Sequence, residues 1–537
     1  MRYILLVSLC ALSTVQAYNV LVSVQGISGS QNLCMMRFAE LLAERGHSVT
    51  VLHAKIFHDA KMPKVQKARL LSYDVIDKGT ADEIGAQMWA IPWNNGSLES
   101  SVTGFPPIGL LKRTVGLVMD SCGTVSKKDS AIMTELRQIK WDVVVVHIID
   151  FCMFGIAEAL GVKSTIWMST AFLIEPMSWA AGVPSPSSYV PTMGHVTTPD
   201  EMNVFGRAKN MALNGFGYTI FAKVLMPMIT NVMRQEYGQD FPDIETLTQR
   251  TQLYYVNADP FFEWPRPVQH NIVYVGGFAM QRPEPLDDDW QKFVDSASDG
   301  VVIFSLGTVA NTSAMPLSYK EAFMDAFKRF PKVKFVFRVE GDQPKAPPNV
   351  RLSKWLPQKD LLAHPNLRAF ITHGGYNSLT EATYMGVPLI VMPLFGDQYA
   401  NVKRVERSNI GVFLNKDNLS GDTIADALRT VLESKSIQES ADRLSAMIRE
   451  QPMHPLDSAI NWLEFLAHFK TLDSLQPISR TMPLYQYFCI DVVCLGALVL
   501  FVASYVMFVL CRCCCRTCCG SAIGGTAKPK DKKQKRS

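Results

Sequence analysis

The chain has 537 residues, 48% hydrophobic and 19% charged, with 53 Lys plus Arg against 49 Asp plus Glu, a net charge of +4 and 12 Cys. Its length exceeds the roughly 250–300 residues at which single cores stop growing, and its apolar content excludes a disordered chain. The basicity does not mark a nucleic-acid binder: residues 512–537 hold eight basic residues and one acid, a net +7, so the preceding 511 carry −3, with no electrostatic footprint for DNA or RNA.

The chain opens with Met-Arg, continues with the apolar run Tyr3–Leu12, and places Val15 and Ala17 at the −3 and −1 positions of a cleavage point. That order predicts a secretory signal peptide over residues 1–17. Strand character begins afresh at Val20–Val24 and recurs at Val49–Leu52, Val143–Ile149 and Ser164–Met168, then at Val301–Ser305, Lys334–Phe337, Arg368–Thr372 and Leu389–Met392. The runs are continuously apolar, with helical stretches such as Met35–Arg45, Tyr319–Phe330 and Leu379–Met385 between them. Parallel sheets covered on both faces have this pattern. Two doubly wound α/β domains are expected, at residues 18–280 and 301–453, with ligands at the carboxyl ends of the strands. The Pro-rich, acidic run Gln281–Asp289 marks a linker over 281–300.

Phe216–Ile229 is apolar, but its fourteen residues include Lys223, so it reads as a packed helix, with membrane contact the alternative. Sequons begin at Asn95, Asn311 and Asn418, making glycosylation available to a lumenal body. Ahead of the membrane approach the mature body has Cys34, Cys122 and Cys152, an odd number without regular spacing, so no disulfide framework is expected. Residues 454–490 lack a strand pattern and are expected as helices bridging body and membrane.

Val492–Cys511 is 20 residues without a charge, about 30 Å as a helix, the hydrocarbon thickness of a bilayer. A transmembrane helix over 491–511 follows, and the +7 tail at 512–537 is cytosolic by the positive-inside rule. Six cysteines between Cys511 and Cys519 suit palmitoylation better than a metal cluster, since the tail has no histidine. The terminal Lys533-Gln-Lys535-Arg-Ser resembles a KxKxx retrieval signal of the endoplasmic reticulum.

The informative segment is Trp355–Gln398. Strand Arg368–Thr372 runs into His373-Gly374-Gly375, and a helix opens near Asn377-Ser378. Glycines there admit backbone N–H groups to an anion, and the helix N-terminus adds positive partial charge. Ser378-Leu-Thr-Glu381 also reads as a capping box.

The whole segment resembles the signature of the UDP-glycosyltransferases, above all the membrane-bound animal enzymes that move a sugar from UDP onto lipophilic acceptors. The resemblance covers nearly all the chain, including Ser305–Thr308 and Trp264–Pro267, and Asp150-Phe-Cys with Ala157–Gly161 is similar to the nematode branch. It implies two facing Rossmann-like domains of GT-B type, with the acceptor in the first and the UDP-sugar in the second. Trp355 would stack on uracil and Gln358 would meet the base edge. Ser305, Thr308, His373, Gly375, Asn377 and Ser378 would hold the diphosphate, Glu381 the ribose, and Asp397 and Gln398 the sugar. The UDP-sugar is a co-substrate; no cofactor or metal is implied, and no Asp-x-Asp follows an apolar strand.

The catalytic pattern breaks. Members of the family use a His after the first strand as general base, oriented by an Asp after a later strand. Counting back from Arg45-Gly46-His47, the His position holds Gln31, and the Asp position, five after Asp142, holds His147. Three readings stay open: His147 is the base, fixed by Asp150 or Gln31; acceptors such as phenols or carboxylic acids are acidic enough that proximity suffices; or transfer is lost. The expected function is hexosyl transfer from UDP-glucuronate or UDP-glucose to small lipophilic acceptors, as in detoxification, by a single-pass type I protein with its catalytic body in the lumen of the endoplasmic reticulum. The rival is a membrane-anchored UDP-sugar-binding or regulatory partner, and homo- and hetero-oligomers are both open.

Overall fold

The computed structural model describes residues 16–26, 29–57, 65–90, 93, 108–193, 199–307 and 312–520. The signal peptide up to residue 15, Thr308, the sequons at Asn95 and Asn311, and the retrieval motif lie outside them. Residues up to Arg480 form one compact unit and residues from Thr481 a second.

The first sheet comprises β1 (Asn19–Gln25), β2 (Ser48–Lys55), β3 (Arg69–Asp74), β4 (Val143–His147), β5 (Thr165–Ser169), β6 (Leu253–Val256) and β7 (Ile272–Tyr274). The second comprises β8 (Val301–Ser305), β9 (Lys334–Arg338), β10 (Val350–Ser353), β11 (Leu367–Thr372), β12 (Leu389–Val391) and β13 (Gly411–Phe413). Their orders are β3-β2-β1-β4-β5-β6-β7 and β10-β9-β8-β11-β12-β13, parallel throughout. Strand order reverses between β1 and β4 and again between β8 and β11, and the crevice at such a reversal is where doubly wound sheets bind ligands. Gln31 and His147 flank the first reversal; Ser305 and His373 flank the second.

Continuous apolar strands follow from burial on both faces. Val143, Val144, Val145 and Val146 of β4 are all 0% exposed, worth about 6 kcal/mol at roughly 1.5 kcal/mol per buried valine. Val143 and Val145 share a core with helix Gly29–Glu44, while Val144 and Val146 share the opposite one with Cys122 and Cys152.

Three expectations change. The helix after β1 starts at Gly29, six residues before the Met35 that pattern indicated. Helix Pro455–Phe469 belongs to the first domain: Ala459, Ile460, Leu463 and Leu466 join its core, and the Tyr255 hydroxyl donates to the Ala459 carbonyl at 2.6 Å. The expectation of a body without disulfides fails for one pair, because Cys122 and Cys152, 30 residues apart, are bonded. Cys122 lies in the helix Ile108–Val125 and Cys152 opens the helix Cys152–Ala159 after β4, and their meeting in one core is invisible in cysteine spacing. In the second unit, Ile490–Gly520 is one helix of 31 residues, carrying Cys511–Cys515 on beyond the expected span.

The disulfide closes a loop of about 30 residues, worth about 3–4 kcal/mol by chain entropy. This is less than the valines of β4 alone. Cys122→Ala/Cys152→Ala is therefore expected to fold with a lowered melting temperature, and calorimetry of the full chain checks it.

Candidate active site

β11 delivers His373 into the crevice of the second domain, 9% exposed. Its ring is threaded between two backbones: a Cβ on Gly375 or Gly307 would run into it, and Gly307 and Gly374 sit at φ of +74° and +82°. The glycines thus serve the imidazole as well as any ligand, a role that the sequence reading gave wholly to phosphate approach. Burial pulls the His373 pKa down to about 4, so at neutral pH the ring is uncharged and offers one N–H.

The following helix spans Tyr376–Met385 with Gly375 as its N-cap and no side-chain cap. The capping-box reading of Ser378 and Glu381 therefore falls, since both lie inside the helix. First-turn N–H groups remain for an anion, beside Asn377 and the buried Ser378. Across the strand reversal, the Ser305 hydroxyl at the end of β8 is buried without a hydrogen-bond partner. A buried hydroxyl left this way costs about 1–3 kcal/mol, which a bound diphosphate would offset.

Trp355 is 62% exposed after β10, with the Arg338 guanidinium 5.5 Å from its ring centroid. Arg338 is in turn held by Glu340 at 3.0 Å and the Gly307 carbonyl at 2.9 Å. An indole so presented suits stacking on a flat base. Gln358 donates to Glu381 at 2.7 Å, joining the two residues that the resemblance assigns to base edge and ribose; burial raises the Glu381 pKa against this bond and Lys359.

Asp397 and Gln398 begin helix Gln398–Arg407. The Gln398 side-chain oxygen accepts from Leu394 and Phe395 N–H at 2.8 and 3.1 Å, so its amide nitrogen is what remains for a sugar. Asp397 accepts from Asn401 at 2.9 Å.

Sequence reasoning missed the residues behind these. The fully buried Asn401 also donates to the Gly374 carbonyl at 2.9 Å, and its oxygen accepts from Arg404 at 3.3 Å. Arg404 reaches out of the second domain to Glu263, at 2.9 and 2.7 Å, with both side chains 4% exposed. Glu263 adjoins Trp264, whose ring also faces the Arg404 guanidinium. Asn401 thus ties the Gly374 turn to Asp397 and, through Arg404, to Glu263 of the first domain. The Trp264–Pro267 motif was the available signal, since it sits next to Glu263.

On the acceptor side, Gln31 is half-buried in the first turn of its helix. His147 is 0% exposed, neither ring nitrogen has a partner, and burial drives its pKa down to about 3. Its backbone N–H donates to Ser23 at 2.9 Å. Asp150 instead bonds the side chains of Gln25 and Ser23, and burial raises its pKa to about 6. Gln25 leads on through Ser121 to Tyr73 at 3.4 and 3.0 Å, next to the Cys122–Cys152 bond. The imidazole has no partner, so neither Asp150 nor Gln31 fixes it: alternation along β4 turns His147 to the face of Val143 and Val145, away from the Asp150 carboxylate, and Gln31, although on the helix that covers that face, makes no bond to the ring.

Two Rossmann-like domains, each a doubly wound parallel sheet, with a glycine turn at the second strand reversal, have the GT-B glycosyltransferase fold. Solved structures agree at the level of fold: the kitacinnamycin glycotransferase aligns with TM-score 0.56 at 16% identity over 85% of this chain and 100% of its own, and a UDP-glucose: anthocyanidin 3-O-glucosyltransferase in complex with UDP aligns at 0.55 and 15%, over 85% and 100%. The profile of the UDP-glucoronosyl and UDP-glucosyl transferase family matches residues 19–524, and the chain belongs to that family. It is 30% identical to human UDP-glucuronosyltransferase 3A2 over 488 residues, 88% of this chain and 89% of the relative. To UDP-glucosyltransferase 2 of Dactylopius coccus it is 31% identical, covering 84% of each, and to the putative UDP-glucuronosyltransferase ugt-50 of Caenorhabditis elegans 27%, covering 92% and 95%.

Asn401→Ala removes the side chain that holds both the Gly374 turn and Asp397. Steady-state kinetics of this variant should show KM for the UDP-sugar raised about tenfold, about 1.4 kcal/mol, with acceptor KM changed less than about twofold. Equal effects on both would contradict the assignment.

Proposed function

We propose that the chain transfers a glucuronosyl or glucosyl group from a UDP-sugar to small lipophilic acceptors that ionise readily, phenols and carboxylic acids, from a body in the lumen of the endoplasmic reticulum held by one membrane-spanning helix. Membership of the family and the buried His373, Ser305 and free helix start support UDP as leaving group. The acceptor oxygen attacks the anomeric carbon from the face opposite UDP, the bond to the β-phosphate breaks, and configuration inverts. Charge developing on the diphosphate is met by the His373 N–H, the Ser305 hydroxyl and the first-turn N–H groups. Trp355, Gln358 and Glu381 hold the nucleoside, and Asp397 with Gln398 hold the sugar. The stretch Ile490–Arg516 of the helix Ile490–Gly520, with mean hydropathy 2.7 and exposed along its length, supports the membrane reading.

The observation that carries the acceptor class is the sealed His147. An imidazole with no partner, closed from solvent and with its pKa lowered to about 3, is not poised to take a proton from an alcohol, and Gln31 has no basic group to offer. An acceptor that arrives already ionised needs neither. The same sealed His147 favours the rival reading, a UDP-sugar-binding partner without turnover.

The test is a series of phenols of falling pKa, with aliphatic alcohols as controls, against UDP-glucose and UDP-glucuronate. We expect kcat/KM to climb about tenfold or more along the series, with an acid limb that tracks each phenol's own pKa, and His147→Leu to stay within about twofold of the parent. Aliphatic alcohols turned over as well as phenols, or a loss of about 100-fold in His147→Leu, would contradict the acceptor class. UDP binding without turnover across the whole series would establish the rival.

A further inference from the structure

Sugar transfer accounts for neither the length of the apolar helix in the second unit nor the thiols near its end. Ile490–Gly520 has 31 residues, about 46 Å of helix against a hydrocarbon layer of about 30 Å. Its charge-free run is bounded by Asp491 and Arg512. With that run inside the layer, residues 512–520 carry the helix about 14 Å past its basic end.

This continuation fixes directions that residue order left open. Cys511, Cys514 and Cys515 stand at i, i+3 and i+4 of one helix, within an arc of about 100°. Arg512 and Arg516, four apart, share another side, and Cys513 lies apart from both groups. Cys511, Cys514 and Cys515 are all exposed, and none is in a disulfide. Cys515 lies only about 6 Å along the axis from Cys511, so the three thiols share the depth of the headgroups.

Two thiol chemistries do not fit this arrangement. Helix neighbours at i+3 and i+4 have Cβ atoms about 5–6 Å apart, beyond the roughly 3.8 Å of a disulfide. Among the described residues no group of three or more His, Cys, Asp or Glu side chains is placed to hold a metal ion; thiols on one side of a single helix diverge instead of converging on a tetrahedral centre. What the arrangement does fit is a reactant delivered by the membrane surface. A long-chain acyl thioester of coenzyme A has an apolar tail that enters the layer and phosphates that Arg512 and Arg516 attract.

We propose that Cys511, Cys514 and Cys515 are a site of S-acylation by long-chain fatty acids. This rests on the membrane span and lumenal body proposed above, which put these thiols on the cytosolic side. The thiolate sulfur attacks the acyl carbonyl carbon, a new thioester bond forms as the bond to the coenzyme A sulfur breaks, and the thiol proton leaves with coenzyme A as its free thiol. The acyl chain then turns back into the layer beside the helix. A spanning helix already holds the chain irreversibly, so acylation serves position: it sets the depth of the helix and keeps Arg512 and Arg516 against the headgroups.

The experiment uses the full chain expressed in cultured animal cells, taken from membranes after carbonate extraction. Free thiols are blocked, thioesters are cleaved with hydroxylamine, and the thiols so released are tagged with maleimide–polyethylene glycol and counted as mass steps on a gel. The parent should gain up to three tags that depend on hydroxylamine. Cys511→Ser/Cys514→Ser/Cys515→Ser should lower tagging to background, while Cys489→Ser, just ahead of the helix, should leave it unchanged. A carbonate-resistant parent without hydroxylamine-dependent tags, or tagging that persists undiminished in the triple variant, would overturn the acylation site. Release of the chain by carbonate would refute the membrane span instead.

Discussion

The buried Glu263–Arg404 pair is the interaction on which the arrangement of the site depends. Two charges at 4% exposure each carry a desolvation cost of several kcal/mol per ion, which only good geometry and further hydrogen bonds recover. Arg404 has both: two bonds to one carboxylate oxygen, one to Asn401, and the Phe172 ring 4.2 Å beneath its guanidinium. Such a pair is weak as a source of stability and strong as a constraint, because removing either partner leaves a buried charge uncompensated. It fixes the helix that carries Asp397 and Gln398 against the segment leaving β6, and so fixes the second domain's loops against the first domain.

The strand–turn–helix at 367–385 was legible because it is local in sequence. Strand β11, the His373–Gly375 turn and helix Tyr376–Met385 follow one another without interruption, so residue order conveyed geometry. The capping-box alternative for Glu381 could be decided only by where the helix starts. What sequence order could not show was distance: Glu263 and Arg404 are 141 positions apart, and Cys122 meets Cys152 only because two helices far apart in sequence share one core.

The fold was readable in its central strands and not at its edges. β4 and β8 are buried on both faces and announce themselves as runs of valine, isoleucine and phenylalanine. β6, β7, β10, β12 and β13 have only three or four residues each, and of these only β12 was marked. The start of the first helix was hidden in Gly29-Ser30-Gln31-Asn32, whose composition reads as a turn although tertiary packing on β1 and β2 makes it helix. The long helical stretch at 204–237, read from sequence only over 216–229, was masked by Lys223 and its glycines, which shorten an apolar run without ending a helix.

The central claim is that this chain holds UDP by its second domain independently of the altered pair Gln31 and His147. Calorimetric titration of the solubilised full chain with UDP tests it most directly. Saturable binding that Trp355→Ala and His373→Ala each weaken at least about tenfold, about 1.4 kcal/mol, and that His147→Leu leaves unchanged is the predicted result; no saturable binding, or binding indifferent to Trp355 and His373, would contradict it.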